Sequence, residues 1–275
     1  MDKLEYNEKT LLDALSRSGY LLESEIAKYL SARDYDVDTN HMIKDPFTGK
    51  GREIDLTAER RSFKNIYNNK CWAQIQLVFE IKNNSAPIVL LTEYEWSTNF
   101  DNSEILKEFK TIPTSLNQMY LHDPFWADIV TYNTKTIYTQ YCSFQQKNKG
   151  GELMALHPDN IHSGLSKIVQ YCDEAMKSEC DQDDYLRHFL YLPVLLIQDD
   201  LFELAVGNDE PSLKKVESSA LLYNYHNDGK RCAAFVYVVT KKGFPKFLES
   251  MEKLEETAQK NLLDWRIKAS HNLGY

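Results

Sequence analysis

The sequence contains little glycine or proline and has no long hydrophobic run. Only 10 Gly and 8 Pro occur among 275 residues, so collagen-like, low-complexity and linker-dominated chains are excluded. No stretch approaches the ~20 consecutive apolar residues that a membrane helix requires. The amino terminus, MDKLEYNEKT, lacks the basic and then apolar order of a secretory signal peptide. We therefore expect a cytoplasmic globular protein with no membrane partner.

Cysteine is also scarce, and it shows no pairing motif. The five cysteines are widely spaced and include no CxxC pair. A disulfide framework needs an even set of cysteines in a short secreted chain, and a cysteine-based zinc site needs closely spaced pairs. The sequence therefore predicts reduced thiols.

A surplus of basic residues is missing as well. The 41 acidic and 32 basic residues give a net charge of -9, which argues against coating of nucleic acid or anionic membranes by bulk attraction. The segment 44–82 departs from this balance, because it holds eight basic and five acidic residues. A locally basic surface on an acidic chain is compatible with contact to a few phosphates at one place.

The pattern of apolar residues predicts a mixed α/β fold in one domain spanning residues 1–275. A hydrophobic fraction of 43% supplies a core, and the chain shows no repeat or linker that would divide it. Pro193 cannot donate to a strand ladder, so we expect it at the start or the edge of its strand. Helical spacing predicts helices over 11–30 with an interruption at Gly19, 104–109, 161–176 and 245–263. Alternating or continuously apolar runs predict strands over 35–43, 52–58, 73–81, 87–91, 191–197, 220–225 and 232–239.

Acidic residues and a lysine occur on three neighbouring predicted elements. Glu23 lies on a helix, Asp55 lies within a strand, and Glu80 and Lys82 project from one face of the next strand. Carboxylates on adjacent strands can hold a hard divalent cation such as Mg²⁺, for which the backbone carbonyl of Ile81 is a further candidate ligand. A lysine beside such a site can orient or deprotonate an attacking water and offset charge on a phosphate. This arrangement predicts hydrolysis of phosphodiesters.

Each of these residues also has a purely structural interpretation. Asp55 can be a solvated strand aspartate, although aspartate is depleted in strand interiors. Glu80 and Lys82 can form a surface ion pair of small energetic effect. Glu25 competes with Glu23 for the role of the helix acid.

Two other polar groups favour the structural interpretation. Gln145 and Gln146 follow the strand-like run 141–144 and could orient a water or a scissile phosphate, but an exposed polar pair is the simpler explanation. His157 and His162 lie on either side of a predicted helix start. They have no second pair of ligands nearby, so surface histidines are favoured over a metal site.

The segments 19–23, 45–56 and 78–83 resemble the core of PD-(D/E)xK nucleases, the restriction-endonuclease-like superfamily, and most of all its Mrr-like and archaeal-resolvase-like branch. The resemblance covers about residues 10–95, and the C-terminal strands and helix would complete or extend this core. It implies a central mixed sheet flanked by helices. The proline that names the motif is absent, because Ile54 precedes Asp55.

This resemblance implies a Mg²⁺-dependent endonuclease that cleaves DNA, with Mn²⁺ as a substitute metal and a role in defence against foreign DNA or in repair. Asp55 and Glu80 would be the metal carboxylates, Lys82 the catalytic lysine, and Glu23 an acid that contacts a metal through water. A homodimer is a candidate form, because two cuts on a duplex usually need two active sites. A catalytically inactive nuclease-fold partner or regulatory subunit and an RNA-cleaving nuclease remain alternatives.

Overall fold

The computed structural model describes residues 7–44, 49, 51–66, 69–94, 111–112, 136–146, 151–178, 185–207, 210–227 and 229–272. The predicted helix over 104–109 lies outside these residues. The described elements are, in chain order, α1 (Glu8–Ser18), α2 (Tyr20–Ser31), β1 (Asp36–Lys44), β2 (Gly51–Ile66), β3 (Asn69–Lys82), β4 (Ile88–Tyr94), β5 (Thr111–Ile112), β6 (Ile137–Gln146), β7 (Leu153–Leu156), α3 (Asp159–Ser178), β8 (Tyr185–Ile197), β9 (Leu201–Ala205), β10 (Ser212–Val216), β11 (Ser218–Asn227), β12 (Lys230–Thr240) and α4 (Phe244–Asn272).

The described strands form one mixed sheet. Its order is β1-β2-β3-β8-β12-β11-β6-β4-β9-β10, with β5 beside β8 and β7 beside β6. The strands β1, β2 and β3 form an antiparallel meander. The strand β8 pairs in parallel with β3 on one side and with β12 on the other. Parallel pairing requires a crossover connection, and α3 lies in the chain between β3 and β8.

Helices cover both faces of this sheet. On one face α2 and α4 pack against alternate residues of β3, including Leu77 and Phe79. On the other face α3 packs against Val78 of the same strand. Each fully buried side chain of this size contributes about 1.5–3 kcal/mol through burial. The predicted class, a mixed α/β fold with a central sheet flanked by helices, is therefore confirmed.

The helix boundaries follow from local sequence signals. Gly19 separates α1 from α2 with a φ of 94°, a left-handed conformation that favours glycine. The Asn7 side chain caps α1 by accepting a 2.9 Å hydrogen bond from the Thr10 N–H, as is typical of a helix start. The helix α3 begins directly after Pro158. Within the described residues, no helix combines the length and the apolar character of a membrane span.

The expectation for Pro193 is wrong, because this residue lies inside β8, opposite Val78 of β3. On the other side of β8, β5 pairs with Phe189 and Leu190, whereas the pairing with β12 begins only at Val194. Within the described residues, Pro193 therefore falls between the part of β8 that pairs with β5 and the part that pairs with β12, so its missing N–H interrupts neither of these two ladders.

Candidate active site

Asp55 and Glu80 lie side by side on β2 and β3. The antiparallel register pairs Leu56 with Phe79, so the two acidic residues occupy the next positions along their strands. Glu80 is completely buried. Asp55 Oδ2 accepts a 2.7 Å hydrogen bond from the backbone N–H of Ile81. The Asp55 carboxylate is thereby fixed against the strand that carries Glu80.

Two lysines compensate the negative charge of these carboxylates. Lys82 forms an ion pair with Glu80 Oε1, as its position on the same strand face predicts. Lys167 comes from α3, and its Nζ lies 2.7 Å from Glu80 Oε2 and 3.2 Å from Asp55 Oδ1. The same Nζ donates a 2.8 Å hydrogen bond to the backbone carbonyl of Glu53. One ammonium group thus bridges both carboxylates.

The helix α3 reaches this cluster because residue 164 is glycine. A Cβ built on Gly164 would lie 2.5 Å from Glu80 Oε1 and 2.6 Å from Glu80 Cγ and Cδ, closer than non-bonded atoms approach each other. Only glycine permits such a close approach. Lys167 follows within one helical turn, so the same contact brings its side chain to the carboxylates.

Burial and neighbouring charges shift the pKa values in the cluster. Burial, and then the charge of Asp55, raise the pKa of Glu80 against the opposing effect of the two lysines. Burial lowers the pKa of Lys167, but the charges and hydrogen bonds of Glu80 and Asp55 raise it by more. Lys167 therefore stays protonated at neutral pH and acts as a fixed positive charge.

Glu23, in the first turn of α2, is the helix acid that faces the cluster. Burial chiefly, and then the charge of Asp55, raise its pKa. Glu25 instead forms an ion pair with Lys241 at 2.6 Å. The contacts of the structure therefore bring together Asp55, Glu80 and Lys82, and the charge of Asp55 contributes to the raised pKa of Glu23.

The sequence reasoning missed Lys167, which lies 112 residues from Asp55 in the chain. A signal for it existed in the helix pattern. Lys167 is flanked by the buried residues Leu165 and Ile168, and a half-buried lysine next to an apolar stripe needs a partner, because burial of an unpaired charge is costly.

The other polar residues considered from the sequence lie away from this cluster. Gln145 and Gln146 are exposed at the end of β6, and Gln146 donates to the carbonyl of Gly151 at 3.3 Å. His157 and His162 line a cavity of about 470 Å³. Both pairs therefore stay outside the candidate active site.

The cluster offers carboxylate oxygens, which are the type of ligand that a hard divalent cation prefers. Asp55 Oδ1 and Glu80 Oε2 already face one cation, the Lys167 ammonium. Within the described residues, no group of three or more His, Cys, Asp or Glu side chains is arranged to hold a metal ion. A cation here would be held by these two carboxylates once Lys167 moves aside, with water or backbone oxygens as further ligands. Coordination by Glu23 and by the Ile81 carbonyl stays a prediction.

Comparison with known proteins identifies no relative of this chain: no protein-family model, curated protein or solved structure matches it. The resemblance to restriction-endonuclease-like nucleases therefore stays a prediction.

Proposed function

We propose that this protein is a metal-dependent nuclease that hydrolyses DNA phosphodiester bonds. The observation that carries the proposal is the convergence of Asp55, Glu80, Lys82 and Lys167, with Glu23 interacting electrostatically from α2. The carboxylates offer oxygen ligands, and the lysines offer positive charge for a phosphate. Bound Mg²⁺, or Mn²⁺ in its place, would supply charge neutralisation and polarise the group under attack.

The two lysines would have different roles in this reaction. Lys82 retains 24% of its side-chain exposure, so it can reach a water or a phosphate at the surface. Lys167 has a raised pKa and therefore stabilises negative charge rather than acting as a base. Its ammonium would turn from the carboxylates towards the phosphate when a metal takes its place.

A cleavage assay on a panel of substrates tests this function. We expect the wild type to cut single-stranded, duplex or branched DNA in Mg²⁺ or Mn²⁺, and Lys82→Ala and Glu80→Gln to be at least about 100-fold slower. The matched control is Lys242→Ala, which removes a lysine with 81% side-chain exposure and should cut at the wild-type rate. Equal activity in all four proteins, or no cleavage by the wild type, contradicts the proposal. Matched RNA strands in the panel separate the RNA-cleaving alternative.

A second candidate function is that of a catalytically inactive nuclease-fold partner or regulatory subunit. The bridge from Lys167 to Asp55 and Glu80 favours it, because a built-in ammonium can replace the metal permanently. Titration calorimetry with Mn²⁺ separates the two candidates. A wild type that binds Mn²⁺ while Asp55→Asn does not supports the nuclease, and a wild type that binds no Mn²⁺ supports the inactive partner.

A further inference from the structure

A cavity of about 600 Å³ lies on the face of the sheet that α3 covers. Its size falls within the range of ligand pockets, roughly 300–1,000 Å³. We call it the aromatic cavity, after the rings of Trp72, Tyr171 and Tyr191 in its lining. Polar side chains of β2 and β3, above all Glu59, Gln74 and Gln76, complete it.

The aromatic cavity and the carboxylate cluster share the same three elements. Glu59 pairs with Gln76 across β2 and β3, four residues along the strands from Asp55 and Glu80, or about 13 Å. On α3, Tyr171 follows Lys167 by four residues, or about 6 Å. A nucleic acid strand bound at the cluster would therefore pass the cavity about two to four nucleotides away, depending on how far the strand is stretched.

The polar side of the aromatic cavity is a connected hydrogen-bond network. Glu59 accepts from Gln76 Nε2 at 3.0 Å and also from Gln74 and Arg61. The Tyr171 hydroxyl donates to Gln76 Oε1 at 3.1 Å. This network holds the glutamine amides in place. Each amide NH₂ carries two donors, of which Glu59 takes one, so the second can meet an acceptor on the edge of a base.

The walls of the cavity suit a flat and uncharged ring. The Arg61 guanidinium covers one face of the Trp72 ring at 5.3 Å from its centre, so a base would stack on the outer side of the guanidinium, a surface that also stacks unpaired bases. The lining holds two acidic residues, Glu59 and Glu174, and two basic residues, Arg61 and Lys44, so its charges balance and it favours an uncharged ring over a phosphate. Lys44, also in its lining, offers a positive charge to the backbone of the strand.

We propose that the aromatic cavity receives one unpaired nucleobase of the strand that is cut at the carboxylate cluster. This inference rests on the proposed function, because that function supplies the bound strand. A base within a duplex must leave the stack before it can enter a pocket, at a cost of a few kcal/mol. The protein therefore selects single-stranded DNA, or duplexes with an unpaired or mismatched position, over perfect duplexes.

Abasic scanning of a single strand tests this inference. The probe is a labelled DNA strand of about 16 nucleotides, with one abasic site moved by one position at a time. Binding is measured by fluorescence anisotropy in EDTA, and cleavage is measured in Mg²⁺. We expect the abasic site to weaken binding roughly tenfold at one position of the strand, at a fixed distance from the cut. We call this position the register.

Two variants connect this register to the cavity. Trp72→Leu should abolish the register-specific loss. Phe63→Leu removes an exposed aromatic ring of β2 that lines a different cavity, and it should retain the loss. If Trp72→Leu does not fold, Gln76→Met tests the same cavity from its polar side and should reduce the loss.

The outcomes separate this inference from the proposed function. Cleavage without any abasic-sensitive register overturns the inference and leaves the nuclease intact, as does a register that persists unchanged in Trp72→Leu and Gln76→Met. A register-specific loss of binding in a protein that cuts no substrate supports base capture and rejects the nuclease.

Discussion

The side chain of Lys167 bridges two carboxylates in a buried position, so replacing Lys167 should lower the stability of the fold. Glu80 is completely buried, and its two oxygens lie against Lys82 and Lys167. When one partner of a buried ion pair is removed, the other keeps its desolvation penalty without compensation. The stability of the fold should therefore depend on the charge balance of this cluster.

We expect Lys167→Met to lower the free energy of unfolding by about 3 kcal/mol, as measured by urea denaturation. Adding Glu80→Gln to this variant should restore part of the loss, because it removes the surplus negative charge that Lys82 alone does not balance. The control Lys215→Met removes an exposed lysine paired with Asp200 and should cost less than about 1 kcal/mol. Equal effects of Lys167→Met and Lys215→Met would contradict the bridge.

A second prediction for a single residue concerns Gly164. Gly164→Ala places a Cβ against Glu80, and overpacking of this kind costs about 1–3 kcal/mol. The gain in helix propensity, about 1 kcal/mol, offsets only part of it, so we expect net destabilisation in urea. The control Gly207→Ala, where no atom of the described residues lies within 4 Å of the new Cβ, should leave stability nearly unchanged. A more stable Gly164→Ala variant would disprove the close approach.

Among the elements, α4 is attached to the sheet by a buried polar network as well as by its apolar face. Glu255 of α4 accepts a 2.8 Å hydrogen bond from the Tyr35 hydroxyl and lies 3.6 Å from an Arg60 nitrogen. Gln259 of α4 donates a 2.9 Å hydrogen bond to the Arg60 carbonyl and accepts one from Ser62. Because the network links α4 to β2, its charge state influences how firmly the helix packs.

This network predicts how stability depends on pH. Burial raises the pKa of Glu255 from 4.5 to about 8, against the opposing effects of Tyr35 and Arg60. Between these pH values the unfolded chain is ionised at residue 255 and the folded chain is not. The contribution of Glu255 to the stability of the folded state is therefore fully present below pH 4.5 and is lost as the pH rises to about 8.

We expect Glu255→Gln to remove this dependence. In urea denaturation, the stability of the variant relative to the wild type should rise between pH 5 and pH 8 by on the order of 3 kcal/mol. Glu249→Gln, an exposed change on the same helix, is the control and should show no such rise. A constant difference between Glu255→Gln and the wild type at both pH values would refute the prediction.

Periodicity predicted most of the elements, because burial on one or both faces fixes the side-chain period. The alternation that placed Leu77 and Phe79 together and Glu80 on the reverse face of β3 is confirmed. Pro193 shows the limit of this reasoning, because its place depends on where β5 and β12 end, which the local sequence does not encode. The same holds for Lys167, whose partners lie on strands far away in the chain.

For the molecule as a whole, a cation that binds only the folded state should stabilise it. At 100 times the dissociation constant the gain is about 2.7 kcal/mol. We expect Mn²⁺ to raise the urea midpoint of the wild type relative to EDTA and to leave that of Asp55→Asn unchanged. An equal rise in both proteins would place the cation elsewhere, and no rise in the wild type would count against a metal at the cluster.

The sheet order has a consequence for the sequence of events during folding. The strands β1, β2 and β3 are neighbours in the chain as well as in the sheet, so Asp55 and Glu80 can meet early through local hairpins. The bridging ammonium arrives only when α3 docks and β8 completes its parallel ladder, which joins Lys82 to Ile197. Pairings between such distant parts of a chain form slowly. We therefore expect Asp55 and Glu80, with Lys82 already beside Glu80 on β3, to meet before the Lys167 ammonium joins them in a later step of folding.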